Sequence, residues 1–383
     1  MPSPGRVVVP RRSRLVGAGR YLRMRLGQLL RGSPEPAPVG RPDYYKRELH
    51  PSLLVRFADS LPVREFITPD HQERNVLDVA RECHRRDGVY PLNFSFPRPE
   101  LMPIDVSSRP HFLSSTIPGE PFSFESWDDY LAEYRSAYFA LSTKKGGWDT
   151  FRHLEILFSG GIPLMPGLGR AHAHSLAHFP KKALVGVYES LVQDGPALPG
   201  SATQTFFRDF AREHLSSEAM ARYLLELTGL ESSSILFLDE SLPVRTDYLS
   251  AFTYIGLKQV TGKHTQAAFE PHFLFDDFTG DTRTLYGRGF GYSRSLPAAL
   301  RGSIAPTNGT DAAQLAELSA SFDALVIGNY DANRGLVEEL RQRGVPADKF
   351  VCIVGSDLPS DFRLRHDIVR SGMTFFIREF VKP

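Results

Sequence analysis

The chain has 383 residues, 42% hydrophobic and 23% charged, with a formal net charge of +1, a balance that excludes a disordered or bilayer-embedded protein. Its length exceeds one ordinary core and predicts two domains of ~100 to 200 residues each. Two cysteines, Cys83 and Cys352, lie far apart without metal-type spacing, which excludes a disulfide framework and fits a reducing cytosol. No apolar run nears the ~20 residues that span a bilayer, and the N-terminus lacks the apolar core of a secretory signal, so a cytoplasmic location is expected.

Charge is concentrated at the start. Residues 1–41 carry nine Arg and one acid, Glu35, leaving 36 Lys/Arg against 43 Asp/Glu in the remainder. Leu15, Leu22, Leu26, Leu29 and Leu30 fall near one helical face of this leader, which suits peripheral contact with an anionic membrane at its inner face. Gly17, Gly19 and Gly27 weaken such a helix, and a flexible basic tail fits equally. The body has no basic stripe to extend the leader, so nucleic acid is not an expected partner. The Pro-rich stretch 33–42 reads as a linker.

The first domain is expected over 42–231. Strands are predicted at 89–94 and 112–115, then a helix at 126–135 that opens with a Ser126-x-x-Asp129 capping box. A strand at 138–142, a short helix and a strand at 162–165 follow. Lys181 and Lys182 open another apparent helix, where a phosphate contact competes with simple exposure. Two helices close the domain: one at 205–214, and one that starts at Ser216, buries Met220, Tyr223, Leu224 and Leu227, and stops at Gly229. Alternation of this kind predicts an α/β domain with a parallel sheet.

The stretch 142–165, STKKGGWDTFRHLEILFSGGIPLM, is the most informative. It reads as a strand end, a glycine turn and a helix starting at Asp149 or Thr150, whose side-chain oxygens can cap the first turn. Phe151, Leu154 and Phe158 form a buried stripe that leaves Arg152 and Glu155 together on a flank. Unpaired amides, the helix dipole, Arg152, Lys144 and Lys145 all attract an anion there. Spacing alone also fits an ordinary strand-turn-helix with solvated cations and a surface pair at Glu155.

The second domain, 232–383, begins with the buried run ILFLDE at 235–240. Further strands are predicted at 268–275, 324–327, 350–354 and 374–377, with helices at 247–261, 334–343 and 361–371. Five strands with crossovers predict a second Rossmann-like sheet. Tyr286-Gly287-Arg288-Gly289-Phe290-Gly291-Tyr292 is Gly-rich but neither follows a strand nor opens a helix, so it is no dinucleotide fingerprint. It reads as a loop at the interdomain crevice with Tyr286 and Tyr292 on offer, or as a tight structural turn. His172, His174 and His178 offer H-x-H-x-x-x-H without a Cys or acid nearby in the sequence, and no metal is expected.

Thr150-x-Arg152-x-x-Glu155-Ile-Leu-x-x-Gly160-x-Ile162-Pro163 resembles the C-terminal-domain signature of exostosin-like and related GT-B glycosyltransferases. The likeness covers about 25 residues closely and the rest diffusely. It implies two Rossmann-like domains facing a crevice, a nucleotide-sugar donor, and a saccharide or lipid-linked acceptor. By that resemblance Glu155 holds the donor ribose, Lys144, Lys145 and Arg152 meet the diphosphate, and Gly160 permits close packing behind it. Family members commonly carry a second Glu where this chain has Gly147, so no paired-Glu role carries over. Asp239 and Asp277, at strand ends of the opposing domain, are the candidate general bases for an inverting transfer. No cofactor is expected, because cations and a helix start can offset a departing diphosphate. A noncatalytic sugar or nucleotide binder and a sugar-nucleotide epimerase are the rival readings.

The resemblance also implies the reverse domain order, with the acceptor side first. Tyr44-Tyr45-Lys46-Arg47-Glu48-Leu49 and Phe375-Phe376-Ile377-Arg378-Glu379-Phe380 share the pattern aromatic-aromatic-x-Arg-Glu-apolar. A circular permutation cut near the interdomain crossover accounts for both facts, and coincidence between two strand ends is the alternative.

Overall fold

Apolar runs bounded by turns become buried parallel strands in this protein, and helices cover them. The computed structural model describes residues 51–380 except 56, 98–107, 119–123, 303, 305–310 and 356–361. In chain order these residues form β1 (Val63–Arg64), α1 (Val76–Asp87), β2 (Tyr90–Pro91), β3 (His111–Leu113), α2 (Trp127–Arg135), β4 (Ala137–Leu141), α3 (Phe151–Phe158), β5 (Ile162–Leu164), α4 (Lys181–Asp194), β6 (Leu198–Pro199), α5 (Ser201–His214) and α6 (Ser217–Thr228). There follow β7 (Ile235–Leu238), α7 (Tyr248–Thr261), β8 (Thr265–Ala267), α8 (Ala312–Ser319), β9 (Ala324–Ile327), α9 (Tyr330–Gln342), β10 (Phe350–Val354), α10 (Phe362–Arg370) and β11 (Thr374–Ile377). The leader 1–41 and the Tyr44 half of the terminal echo lie outside the described residues. Among the described residues no helix is long and apolar enough to cross a membrane.

Two larger sheets organise the molecule, both wholly parallel, as befits a Rossmann-like α/β protein. One has three strands in the order β3-β4-β5, the other six in the order β2-β11-β10-β9-β7-β8. Counted from β7, the five later strands run 2-1-3-4-5, so the order reverses between β7 and β9, the place where open α/β sheets form a crevice. A two-stranded parallel pair, β1-β6, completes the set.

The division expected at 231/232 is crossed three times. Strand β2, from the first part, closes the edge of the second sheet, with Tyr90 opposite Phe376 and Pro91 opposite Ile377. Pro91 has no amide to donate, which suits an edge strand, and of the strand expected at 89–94 only Tyr90 and Pro91 form. Helices α6 and α7 also pack across the division. A Cβ on Gly256 of α7 would stand 2.0 Å from the Ser217 carbonyl oxygen, so glycine is what lets the two backbones approach. Finally, Phe96 and Phe158 share one continuous apolar core with Phe252 and Tyr292.

Local signals explain most helix ends. Ser126 accepts from the Asp129 amide at the start of α2, Ser216 from Ala219 at the start of α6, and Asp247 from Ser250 at the start of α7. Gly229 ends α6 with φ of +69°, the left-handed conformation that glycine adopts without strain. One expectation changes. The strand predicted at 268–275 does not form: β8 ends before it, at Ala267, Pro271 cannot donate to a ladder, and the chain turns through a 3-10 turn at His272–Leu274.

Candidate functional site

The glycine turn after β4 is pinned from inside. His153 is fully buried, its Nδ1 2.6 Å from Ser142 Oγ and its Nε2 2.7 Å from the Trp148 carbonyl. The carbonyl can only accept, so Nε2 donates and Nδ1 takes the Ser142 proton. Burial pushes this imidazole down to about 4, so it stays neutral and holds the loop bearing Lys144 and Lys145 against the helix.

Helix α3 starts after Thr150 with no side-chain cap on its first turn. The capping expected of Asp149 is absent because its Oδ2 accepts from the Phe94 amide at 2.7 Å instead. Glu155, one turn along, is 8% exposed and accepts from the Tyr130 hydroxyl at 2.7 Å. Burial raises its pKa, while the Tyr130 bond, Arg152 and then Lys145 pull it back. Arg152 and Lys145 therefore act on Glu155 through their charge. Lys144 is exposed, with its ammonium 6.0 Å from the Trp148 ring centre. Gly160 lies past the other end of α3, roughly 12 Å away by helix rise, where its φ of +78° makes the turn into β5. It is not brought to the cationic end.

This group faces the second sheet's half of the molecule. The charge of Glu155 is felt by Tyr248 of α7, whose ring lies 5.2 Å from Phe151. The Gly-rich loop folds over the same place. Phe290 packs 5.7 Å from Trp127 and 6.2 Å from Tyr130, and Arg288 donates to the Phe124 carbonyl and Glu125, each at 2.9 Å. A Cβ on Gly287 would be 2.2 Å from the Tyr248 hydroxyl, and Gly287 has φ of +57°, so both space and backbone demand glycine. Of the two tyrosines expected to be on offer, Tyr292 is fully buried, whereas Tyr286 is 68% exposed.

A buried junction beside α3 joins the motif to the end of the chain. Arg378, just after β11, donates to the Asp149 carbonyl at 2.7 Å and to the Gly355 carbonyl through Nε and Nη2, with Phe94 4.5 Å beneath it. Glu379 accepts from the Asp149 amide, and its carboxylate fills the space a Cβ on Gly147 would need. Where the resemblance leads one to expect a second Glu, the chain thus places a carboxylate from its other end. The terminal echo singles out Arg378 and Glu379; their role here was not legible from spacing.

Burial lifts Asp149 to about 7, against the pull of Arg378. The folded carboxyl therefore keeps its proton between about pH 4 and 7 while the unfolded one loses it, so stability falls as pH rises through that window and levels above it. Asp149→Asn should remove this slope, worth a few kcal/mol. Urea melts of both proteins from pH 4 to 8 test it; parallel profiles would contradict the reading.

The two candidate bases stand in different surroundings. Asp239 follows β7 at the reversal of strand order, 1% exposed, and accepts from Ser250 Oγ (2.6 Å), Asn333 Nδ2 (2.9 Å), and the Ser241 hydroxyl (2.8 Å) and amide (3.1 Å). Four donors make it a tie between β7, α7 and α9. Asp277 follows an isolated bridge at Phe275, not the expected strand, and is held by Arg301 at 2.6 Å, which keeps its carboxyl below the usual range.

The histidines separate. His178 is buried with Nδ1 2.9 Å from Asn93 Oδ1, and burial pushes it down to about 3. His174 instead meets Cys83 and Asp87 of α1, partners that sequence proximity did not supply. Lys181 is spent on the Ala173 and Ser175 carbonyls at 2.6 and 2.7 Å. A hollow of about 410 Å³ runs along α4 between Leu168 and Glu189, and its lining includes none of the motif residues.

No protein-family model, curated protein or solved structure matches the chain. What the fold defines is an α/β protein of parallel sheets.

Proposed function

We propose that this protein is a GT-B-like glycosyltransferase, cytosolic, moving a sugar from a nucleotide-diphosphate donor to a saccharide or lipid-linked acceptor. One observation carries the reading: Glu155, buried against the Tyr130 hydroxyl one turn into α3, is under the charge of Arg152 and Lys145 at the start of that helix, on the side turned to the other sheet. The two cations at a helix start suit a diphosphate, and the Glu155 carboxylate suits a pair of ribose hydroxyls. In such a site the same charges stabilise the departing diphosphate as the sugar leaves.

Of the opposing acids, Asp239 is saturated and Asp277 is weakened as a base by Arg301. Those two pairings favour a binder that transfers nothing as the second reading. Incubation with a panel of sugar nucleotides, with and without oligosaccharide acceptors, separates the cases. Acceptor-dependent product supports the transferase; binding without turnover supports the binder; conversion without acceptor points to an epimerase.

A further inference from the structure

Outside the motif, one cluster gathers three different metal-binding side chains. Cys83 and Asp87 are four residues apart on α1 and so share a face. His174 reaches them from the loop before α4. The Cys83 Sγ lies 3.9 Å and the His174 Nδ1 3.7 Å from Asp87 Oδ2, and all three donor atoms fall within 4.8 Å of one another. A tetrahedral zinc ion with bonds of about 2.0–2.3 Å sets its ligand atoms roughly 3.3–3.7 Å apart, so only a small inward shift is needed.

We propose that Cys83, Asp87 and His174 form a binding site for a borderline-soft divalent cation, zinc being the fit for one sulfur, one imidazole and one carboxylate. Cys83 and His174 are 0% and 1% exposed, which fixes their positions, while Asp87 opens the site to solvent. Positive charge already lies across its mouth: the Arg86 guanidinium donates to Asp87 Oδ2 at 2.7 Å and to His174 Nδ1 at 3.4 Å. That side chain is 55% exposed and can swing out as the cation enters. His172, its ring 5.2 Å from His174 and stacked on Phe380, adds a further imidazole beside the site. The bound ion clamps α1 to the loop whose Ser175 hydroxyl accepts from the Phe380 amide, and so to the junction at Arg378 and Glu379. The inference stands apart from the transferase reading, since none of its ligands belongs to the motif.

The test uses the full chain, stripped with a chelator, dialysed, and titrated with Co2+ and with Zn2+ against a chromophoric chelator. Expected are one ion per chain, a thiolate-to-cobalt charge-transfer band, and a rise in melting temperature with Zn2+. The band should vanish in Cys83→Ser and persist in Cys352→Ser. Asp87→Asn and His174→Ala should each weaken Zn2+ about ten-fold or more, and Arg86→Ala should tighten it. Should Cys83→Ser not fold, the solvent-facing Asp87→Asn decides. A folded wild-type protein without the band, a band that survives Cys83→Ser, or unchanged Zn2+ affinity in Asp87→Asn would each overturn the site.

Discussion

Glu155→Gln is expected to weaken nucleoside-diphosphate binding by at least about ten-fold while leaving the fold in place. The amide keeps the shape and can still accept from the Tyr130 hydroxyl at its 2.7 Å position. It loses the charge, and it can no longer accept from two ribose hydroxyls at once, a loss of about 1–3 kcal/mol for a buried hydrogen bond left unmade. Stability should not suffer, because burial already disfavours the ionised form of Glu155. Titration of wild type and variant with a panel of nucleoside diphosphates gives the answer. Equal affinities would remove Glu155 from the donor site and take the transferase reading with it.

Arg378→Met is expected to cost about 3–5 kcal/mol of stability, the scale for breaking a buried, hydrogen-bonded charge. The guanidinium spans two carbonyls on different parts of the fold, those of Asp149 and Gly355, and lies over the Phe94 ring. Methionine fills the volume but leaves both carbonyls without that donor. Lysine should rescue little, since a single ammonium cannot reproduce a planar fork. Urea unfolding at pH 7 measures the effect; a loss under about 1 kcal/mol would show that the two sheets are joined by packing alone.

Much of the scaffold was readable from local chemistry. The runs at 324–327, 350–354 and 374–377 coincide with β9, β10 and β11, since strands covered on both faces are continuously apolar. The helix starts at Ser126 and Ser216 were equally plain, and Asp247, read as the start of a helix, proves to be its cap. Pattern failed where tertiary contacts decide. Two-residue strands such as Val63–Arg64 leave no periodicity to read, and pairing of Tyr90 with Phe376 leaves no local trace. Glu155 reads as a flank residue beside Arg152, yet it is buried against Tyr130 of α2, on whose ring Phe290 of the Gly-rich loop packs. The meeting of His174 with Cys83 and Asp87 follows from folding across a long stretch of chain, so spacing rules for metal ligands pass over it.

The edge strand at Tyr90–Pro91 sets an order of events during synthesis. Among the described residues its sheet neighbour is Thr374–Ile377, synthesised long after it, so the early part of the chain must wait with that edge unfinished. Pairing of such high sequence separation is slow to form. A chain stalled before residue 374 would present an unsatisfied apolar border on β10, and quality-control factors would meet the nascent protein there.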